Sequence, residues 1–554
     1  RNAGSNLLGN ILIGEHAGKC ASGGHNIYFG TYAGRGKEST ANSNAGACNI
    51  AIGYNAGKVI KSGAEDNIIM GRNSFGDGGG SGFTGNCNVS IGAYNFRYGT
   101  TACLNVSIGN RALAESRTGH CNVAIGNRAM ATGQVTGTGN VAIGSCAGHN
   151  LSSGSNNIIL GKNAGCNQTT GSNNVFLGNV SGGGNTDATG TGDANIAIGR
   201  EIAKRLTTGS YNIFMGNESA SYKCVTGSRN VILGNEVGQN LVGGYDNVII
   251  GSYSGCNICG SVYNVIIGRQ NMCNGIMVEA GSDNIAIGRQ NNQANTTGAD
   301  NISIGCRALY INTEGQSNIT LGKCAGSRNT TGSENIYLGN HAGTSGSSDP
   351  GTGDYNIALG RCAGQCVTSG SYNLSIGLKS GCNVTTGSRN IYIGFCHQAS
   401  SSSVSCETVL GFNNATGKGT KTFFVDADSG VYHGGNTTTW STTSDLRIKK
   451  NVTDNNTGLD KIKEVQVRNF EYRTKDEITD FENPSAVVVN KEGLQLGVIA
   501  QELQKILPDT VKELSTGALS VNADNLIWYL INAVKELSAK NDALEARIKK
   551  LEES

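Results

Sequence analysis

One short motif returns 22 times between Asn10 and Asn390, and it decides most of what this chain can become. It runs Asn, Ile or Val, any residue, then Ile, Leu or Met, Gly, two variable residues and a small one. Examples are NILIGEHAG from Asn10, NIIMGRNSF from Asn67, NVAIGNRAM from Asn122 and NIYIGFCHQ from Asn390. Of the 21 spacings between successive Asn residues, 12 are 17 residues and three are 18; the longer ones, such as 67 to 88 and 335 to 356, read as insertions. A short, regular repeat marks stacked units that bury their faces against their neighbours.

The unit can be read residue by residue. Val123 and Ile125 lie two apart and share one face of a short strand, and the residue between them, often Ala, Ser or Tyr, faces the other way. The apolar pair reads as the inward face. Gly126 turns the chain, because Gly accepts positive φ. Arg128-Ala129-Met130 reads as a second short edge, and Thr169-Thr170-Gly171-Ser172 as the turn that returns to the next Asn. Seventeen residues are too few for a strand and a real helix, and no 3.6-residue period is present. The prediction is a mostly β fold: a parallel β-roll or β-solenoid of ~17-residue coils, 22 of them, rising ~4.8 Å each to a shaft of roughly 105 Å.

Composition then divides the chain. Gly is 83 of 554 residues, about twice the ordinary ~7% share, but with 3 Pro and no Gly-X-Y period the chain is not collagenous. From Ser444 onward 111 residues carry 16 Lys/Arg, 19 Asp/Glu and only four Gly; all 18 Cys and 7 His precede that point. The expected domains are a shaft over 1–399, a neck over 400–443 and a charged α+β domain over 444–554. In the neck, Thr422–Asp426 and Gly430-Val431-Tyr432 read as a hairpin whose Phe423, Val425 and Val431 plug the roll. The net charge of +2 gives no whole-chain field for nucleic acid. No apolar run approaches the ~18 residues of a membrane helix, so no membrane insertion is expected.

Two arguments predict a homotrimer. A coil this small has a thin core, worth a few kcal/mol at ~25 cal/mol per Å² against ~1–2 kcal/mol of backbone entropy per residue. Three shafts packed together would bury the outward positions, for example Ala142, Ile159 and Tyr337. The last helix, from about Asn525, repeats Leu530, Val534, Leu537, Asn541, Leu544, Ile548 and Leu551 by fours and threes, which is a coiled-coil a/d seam with Asn541 at an a position. The other reading of that helix is an amphipathic one folding back on its own domain.

The N-[IV]-A-I-G-x-x-A pattern at 122–129, 140–147 and 356–363 resembles the head repeat of trimeric autotransporter adhesins, a trimeric parallel β-roll. The chain lacks that family's C-terminal membrane barrel, which argues against a bacterial surface autotransporter. The C-terminal segment carries Ser444-Asp445-Leu446-Arg447-Ile448-Lys449, then Asn451-Val452, Leu496-Gly497-Val498-Ile499-Ala500-Gln501-Glu502-Leu503 and Leu507-Pro508. In that order these motifs resemble the S74 peptidase, or intramolecular chaperone, domain of phage tail fibres and tailspikes. The resemblance covers 444–554; one departure is Val521-Asn522-Ala523-Asp524, where the family tends to a Val-Asp-Tyr type sequence.

The resemblance implies self-cleavage of the Thr443–Ser444 bond, with Ser444 and Lys449 as a Ser-Lys dyad. The chemistry of the residues agrees. A Ser hydroxyl needs a base; the domain has no His or Cys, so a Ser-His-Asp triad within it is impossible. Lys serves as base where burial or a nearby cation favours its neutral form, and Arg447 and Lys450 are the neighbouring cations. Ser444 and Lys449, five apart, need a turn or a trimer neighbour to meet. Asp445 and Arg447 read as cap and ion pair in support. The alternative for the whole string is an ordinary surface segment.

Other positions carry less. Cys256-Asn257-Ile258-Cys259 is a lone CxxC, whereas zinc wants four ligands. Cys146, Cys324, Cys362 and Cys396 recur two residues after the motif Gly and read as buried thiols, with some inter-coil disulfides in oxidising surroundings. His16 and His341 share that position and read as solvated. No GGxGxD calcium ladder is present, and no metal or cofactor is expected. The insertions Gly76–Gly85, Gly182–Gly192, Met272–Gly281 and Thr344–Gly353 are candidate receptor loops. The function expected is that of a viral, most plausibly phage, tail-fibre protein: virion-located, assembled in the host cytoplasm, contacting other virion tail proteins and a host receptor, glycan or surface protein. Its only enzymatic activity would be one autocatalytic serine-endopeptidase cut. The alternatives are a structural filament or cell-surface adhesin that keeps its C-terminal domain, and, less favoured by its sparse acids and aromatics, a glycan-degrading spike.

Overall fold

The computed structural model describes residues 9–36, 45–75, 82–183, 189–275, 281–344, 349–412, 414–426, 445–481, 484, 487–489, 491–514 and 516–554. The chain forms two compact units, Arg1–Glu334 and Asn335–Ser554. The tips of the four insertions and Val431 of the expected hairpin lie outside the described residues.

The first unit is a parallel β-solenoid. Eighteen strands of three to five residues run from Ile11–Ile13 to Ile319–Leu321, one per motif. They stack in register, so that Val123, Ala124 and Ile125 face Val141, Ala142 and Ile143 of the next coil. The second unit opens with six more parallel strands, Ile336–Leu338 to Phe423–Asp426. Phe423–Asp426 pairs parallel with Thr408–Gly411, so the coil stacking of this unit continues to Asp426, and the other expected arm, Gly430-Val431-Tyr432, lies outside the described residues.

The alternation of faces is as the sequence indicates, but inside and outside are exchanged. Ala142 and Ile159 are fully buried within their coils and Tyr337 nearly so, whereas Val123 and Ile125 are half-exposed. The motif Asn explains the parity. Its side chain is buried inside the coil, and with a period of two the residue two further on must share that face. The Ile/Val and Ile/Leu positions are therefore left on the outside.

The buried Asn side chains form a ladder. Asn212 donates its backbone N–H (3.0 Å) and its Nδ2 (3.0 Å) to Oδ1 of Asn195, and Nδ2 also reaches the Gly227 carbonyl at 2.9 Å. Asn230 repeats this one coil on, donating to Asn212 Oδ1. Each amide thus satisfies both its donors and its acceptor in a dry interior, where an unpaired polar group would cost about 1–3 kcal/mol. Glu407 takes the Asn place after Asn390: its N–H donates to Asn390 Oδ1, and its buried carboxylate accepts from Tyr392 Oη and from the N–H groups of Ser400 and Gly419.

Each coil turns at four left-handed residues. The motif Gly is one: Gly126 has φ +137°, and a Cβ there would sit 2.4 Å from the carbonyl oxygen of Gly144. The other three include ordinary residues, such as Arg128 and Cys121, both at φ +57°, and Met130 at φ +49°. Arg128-Ala129-Met130 is consequently a turn, not a second strand, with Ala129 and Met130 buried. The interior is better filled than the motif alone suggests; Phe75 packs edge-on to Phe83 at 4.3 Å and stacked on Phe96 at 4.8 Å, all three buried.

The cysteines also differ from expectation. Cys146, Cys324, Cys362 and Cys396 are half-exposed, because the residue two after the motif Gly lies at a left-handed corner and points outward. Cys256 is disulfide-bonded to Cys273, one coil away, rather than to its CxxC neighbour Cys259. Among the described residues no three His, Cys, Asp or Glu side chains converge as a metal site would require, and no helix is long and apolar enough to cross a membrane.

Candidate functional site

The described part of the C-terminal segment starts at Asp445, so Thr443 and Ser444 lie outside the described residues. Leu446–Ile448 form one 3-10 turn. Asp445 caps it: Oδ1 accepts from the Arg447 backbone N–H at 2.8 Å, and the Arg447 guanidinium grips both carboxylate oxygens, with Nη2 to Oδ2 at 2.6 Å. The Arg447 guanidinium, and then its backbone N–H, hold the Asp445 carboxyl below the usual carboxylate range. Lys449 closes the turn, its N–H donating to the Leu446 carbonyl at 3.1 Å, and its side chain is exposed. Leu446 and Ile448 are 72% and 68% exposed, an apolar pair left uncovered beside the cleavage candidate.

Downstream, the sequence motifs fall on packed elements. Gln495–Gly497 pairs antiparallel with Arg468–Phe470. Helix α1 spans Leu459–Glu464, α2 Ala500–Ile506 and α3 Ala523–Glu552. Leu503 and Leu507 are the buried anchors of the Leu496–Pro508 stretch, and Glu502 ties α2 to Arg468 at 3.0 Å. Val511–Glu513 and Leu519–Val521 make a hairpin that leads into α3. At the departure from the family pattern, Asn522 serves as N-cap of α3, accepting from the Asp524 N–H at 3.2 Å.

Helix α3 has two unlike faces. One docks on its own fold: Tyr529 Oη donates to Asp509 Oδ2 at 2.7 Å, Asn532 Nδ2 to the Asn455 carbonyl at 2.6 Å, and Glu536 accepts from the Leu459 N–H at 3.2 Å. Ala533 is buried there, and Gly458 approaches so closely that a Cβ would meet the Ala533 nitrogen at 2.7 Å. The other face carries Leu530, Val534, Leu537, Leu544, Ile548 and Leu551, each more than half exposed. The fold-back reading thus accounts for one face from Tyr529 to Glu536, and the a/d seam stays uncovered in the single chain.

Two features of the molecule escaped the sequence reading. The Asn ladder was visible as the invariant first motif residue. A cluster of arginines around Tyr94 was visible only as scattered Arg72, Arg97, Arg111 and Arg128.

Residues 444–512 match the family of the chaperone of endosialidase, peptidase S74. Residues 444–512 therefore form a domain of that family, and they follow a long β-solenoid of ~17-residue coils, an architecture consistent with a tail-fibre or tailspike-like protein.

Proposed function

We propose that the chain is a trimeric phage tail-fibre or tailspike-type protein, with a shaft over 1–399, a neck over 400–443 and a chaperone domain over 444–554. The observation that carries the reading is the chaperone-of-endosialidase match beside the uncovered a/d seam of α3. Near-identical coils can pair in many wrong registers. Three α3 helices zipped along their seams would bring three chains level, so that the coils close in register from that end.

Cleavage would then release the clamp. Ser444 Oγ adds to the Thr443 carbonyl carbon while Lys449 Nζ takes the hydroxyl proton. The Thr443–Ser444 C–N bond breaks as the Ser444 nitrogen is protonated, and water hydrolyses the ester. Lys449 is exposed in the single chain, and an amine acts as base where burial favours its neutral form. Neighbouring chains would supply that cover, together with a lid for Leu446 and Ile448, which makes cutting conditional on assembly. Once the clamp leaves, unfolded shafts could not re-register, and the shaft is kinetically trapped. The shaft serves host attachment as part of the virion tail.

A denaturing gel of the purified protein tests this. The expected result is a band shortened by the 111 residues from Ser444 to Ser554, absent in Ser444→Ala and in Lys449→Met. An uncut chain that is nonetheless trimeric would favour the filament or adhesin reading, in which the clamp is kept.

A further inference from the structure

Three of the arginines around Tyr94 stack on its ring. The guanidinium carbons of Arg72, Arg97 and Arg111 lie 5.1, 6.0 and 5.9 Å from its centroid, and Arg97 also lies 5.3 Å from the Tyr98 ring. Arg128 is in the next coil at the same place as Arg111, two residues after the motif Gly. The strands before them, Val106–Ile108 and Val123–Ile125, are in register, so the two stems leave the backbone ~4.8 Å apart. Tyr94, Arg97, Tyr98, Arg111 and Arg128 line a cleft of ≈ 140 Å³ together with Glu115 and Thr132.

Like charges directly opposite each other on neighbouring strands repel. No ion pair engages Arg72, Arg97, Arg111 or Arg128 among the described residues, and all four are exposed. The same corner is treated differently further along. Glu201, Glu218 and Glu236 occupy it in successive coils, and there the charges are met: Arg200 pairs with Glu218 and Glu201, Lys204 with Glu201, and Tyr253 Oη donates to Glu236. The coil therefore allows compensation, and among the described residues the only carboxylate lining the cleft is half-buried Glu115. Tyrosine rings hold the guanidinia of Arg72, Arg97 and Arg111 in place by cation–π attraction, which orders them without neutralising them.

We propose that this cleft binds an anionic saccharide, its acidic group held between Arg111 and Arg128 and a ring hydroxyl donating to Glu115. The guanidinium fork matches a carboxylate or a sulfate. Glu115 selects the class of ligand: a DNA backbone brings no donor for a carboxylate and would be repelled by it, whereas a sugar acid carries the acid group and the hydroxyl donors on one ring. Thr132 Oγ1, bonded to His149 Nδ1 at 3.0 Å, supplies a further hydroxyl at the rim. The site lies on the corner after the motif Gly, off the outward Ile/Val face of the strands. The proposal deepens the attachment reading and rests on it.

Calorimetric titration of the full chain with oligogalacturonate, dextran sulfate, neutral dextran and a thymidine oligonucleotide tests the site. One of the two acidic saccharides is expected to bind, and which one does so identifies the acid as carboxylate or sulfate. Neutral dextran is expected not to bind. Arg111→Gln with Arg128→Gln should weaken binding at least tenfold at an unchanged thermal midpoint, while the charge-matched Arg269→Gln with Arg289→Gln should leave it within twofold. Tighter binding of the oligonucleotide, equal loss in both double variants, or no binding of either acidic saccharide would overturn the proposal. Saccharide binding that survives Arg111→Gln with Arg128→Gln would remove this site and leave the attachment reading standing.

Discussion

The coils and the C-terminal segment treat their apolar residues in opposite ways. Inside the coils the core residues are closed within a single chain: Ala142, Ile159, Phe176 and Phe214 are fully buried, and the Asn ladder leaves its amides paired. Among the described residues from Asp445 to Ser554, only Gly458, Leu459, Leu503, Leu507, Thr510 and Ala533 are buried, while the α3 seam stands open. The comparison moves the weight of the trimer argument. A thin core was the first reason to expect three shafts together, yet the coil interior is self-sufficient. The region with unmet apolar surface is the clamp, with the outward Ile/Val stripe of the strands as a secondary contribution.

The largest effect should come from breaking the clamp. Leu537→Asp with Leu544→Asp places charge in the seam, at several kcal/mol per buried charge, and should raise the dissociation constant of the assembly more than about a thousandfold. Sedimentation velocity reads this directly, and an unchanged mass would mean that the seam is not the contact. Next come the coils. Ile159→Ala should destabilise the shaft by about 2–5 kcal/mol, whereas its outward neighbour Ile158→Ala, 44% exposed in the single chain, should cost less than about 1 kcal/mol in an isolated shaft. Denaturant unfolding of both reports which face is inside. Asn212→Ala orphans partners on two neighbouring coils and should cost roughly 2–4 kcal/mol, measured in the same way.

The smallest effect concerns the cap. Arg447 lowers the Asp445 carboxyl, so the cap's contribution is present above the ordinary carboxylate range and is lost as pH falls through the lowered value. Amide exchange at Arg447 should therefore stay slow at pH 5 and quicken only in stronger acid. Quickening already at pH 5 would mean that the pair does not form in solution.

Much of this fold was legible because the repeat averages over context. Twenty-two copies fixed the strand, the coil length and the Gly corner, and Gly126 turns where it was expected to turn. The inside and the outside were exchanged for one reason: hydrophobicity was weighed above parity. The motif Asn was the better guide, since a residue kept at every copy and set two before the middle strand position declares the inward face. The non-glycine corners at Arg128 and Cys121 were not legible, because their left-handed conformation is imposed by stacking and not by residue type. In the C-terminal segment Asp445, Arg447 and the a/d seam could be read from short-range spacing. The surroundings of Lys449 could not, since what covers it is argued to come from other chains.

The central claim is that the C-terminal domain holds three chains together, and the native mass of the uncut protein tests it most directly. With Ser444→Ala to keep the chain whole, light scattering should give three times the 57.2 kDa chain mass, falling to the single-chain mass when Leu537→Asp and Leu544→Asp are added. A single-chain mass for the Ser444→Ala protein at micromolar concentration would contradict the account.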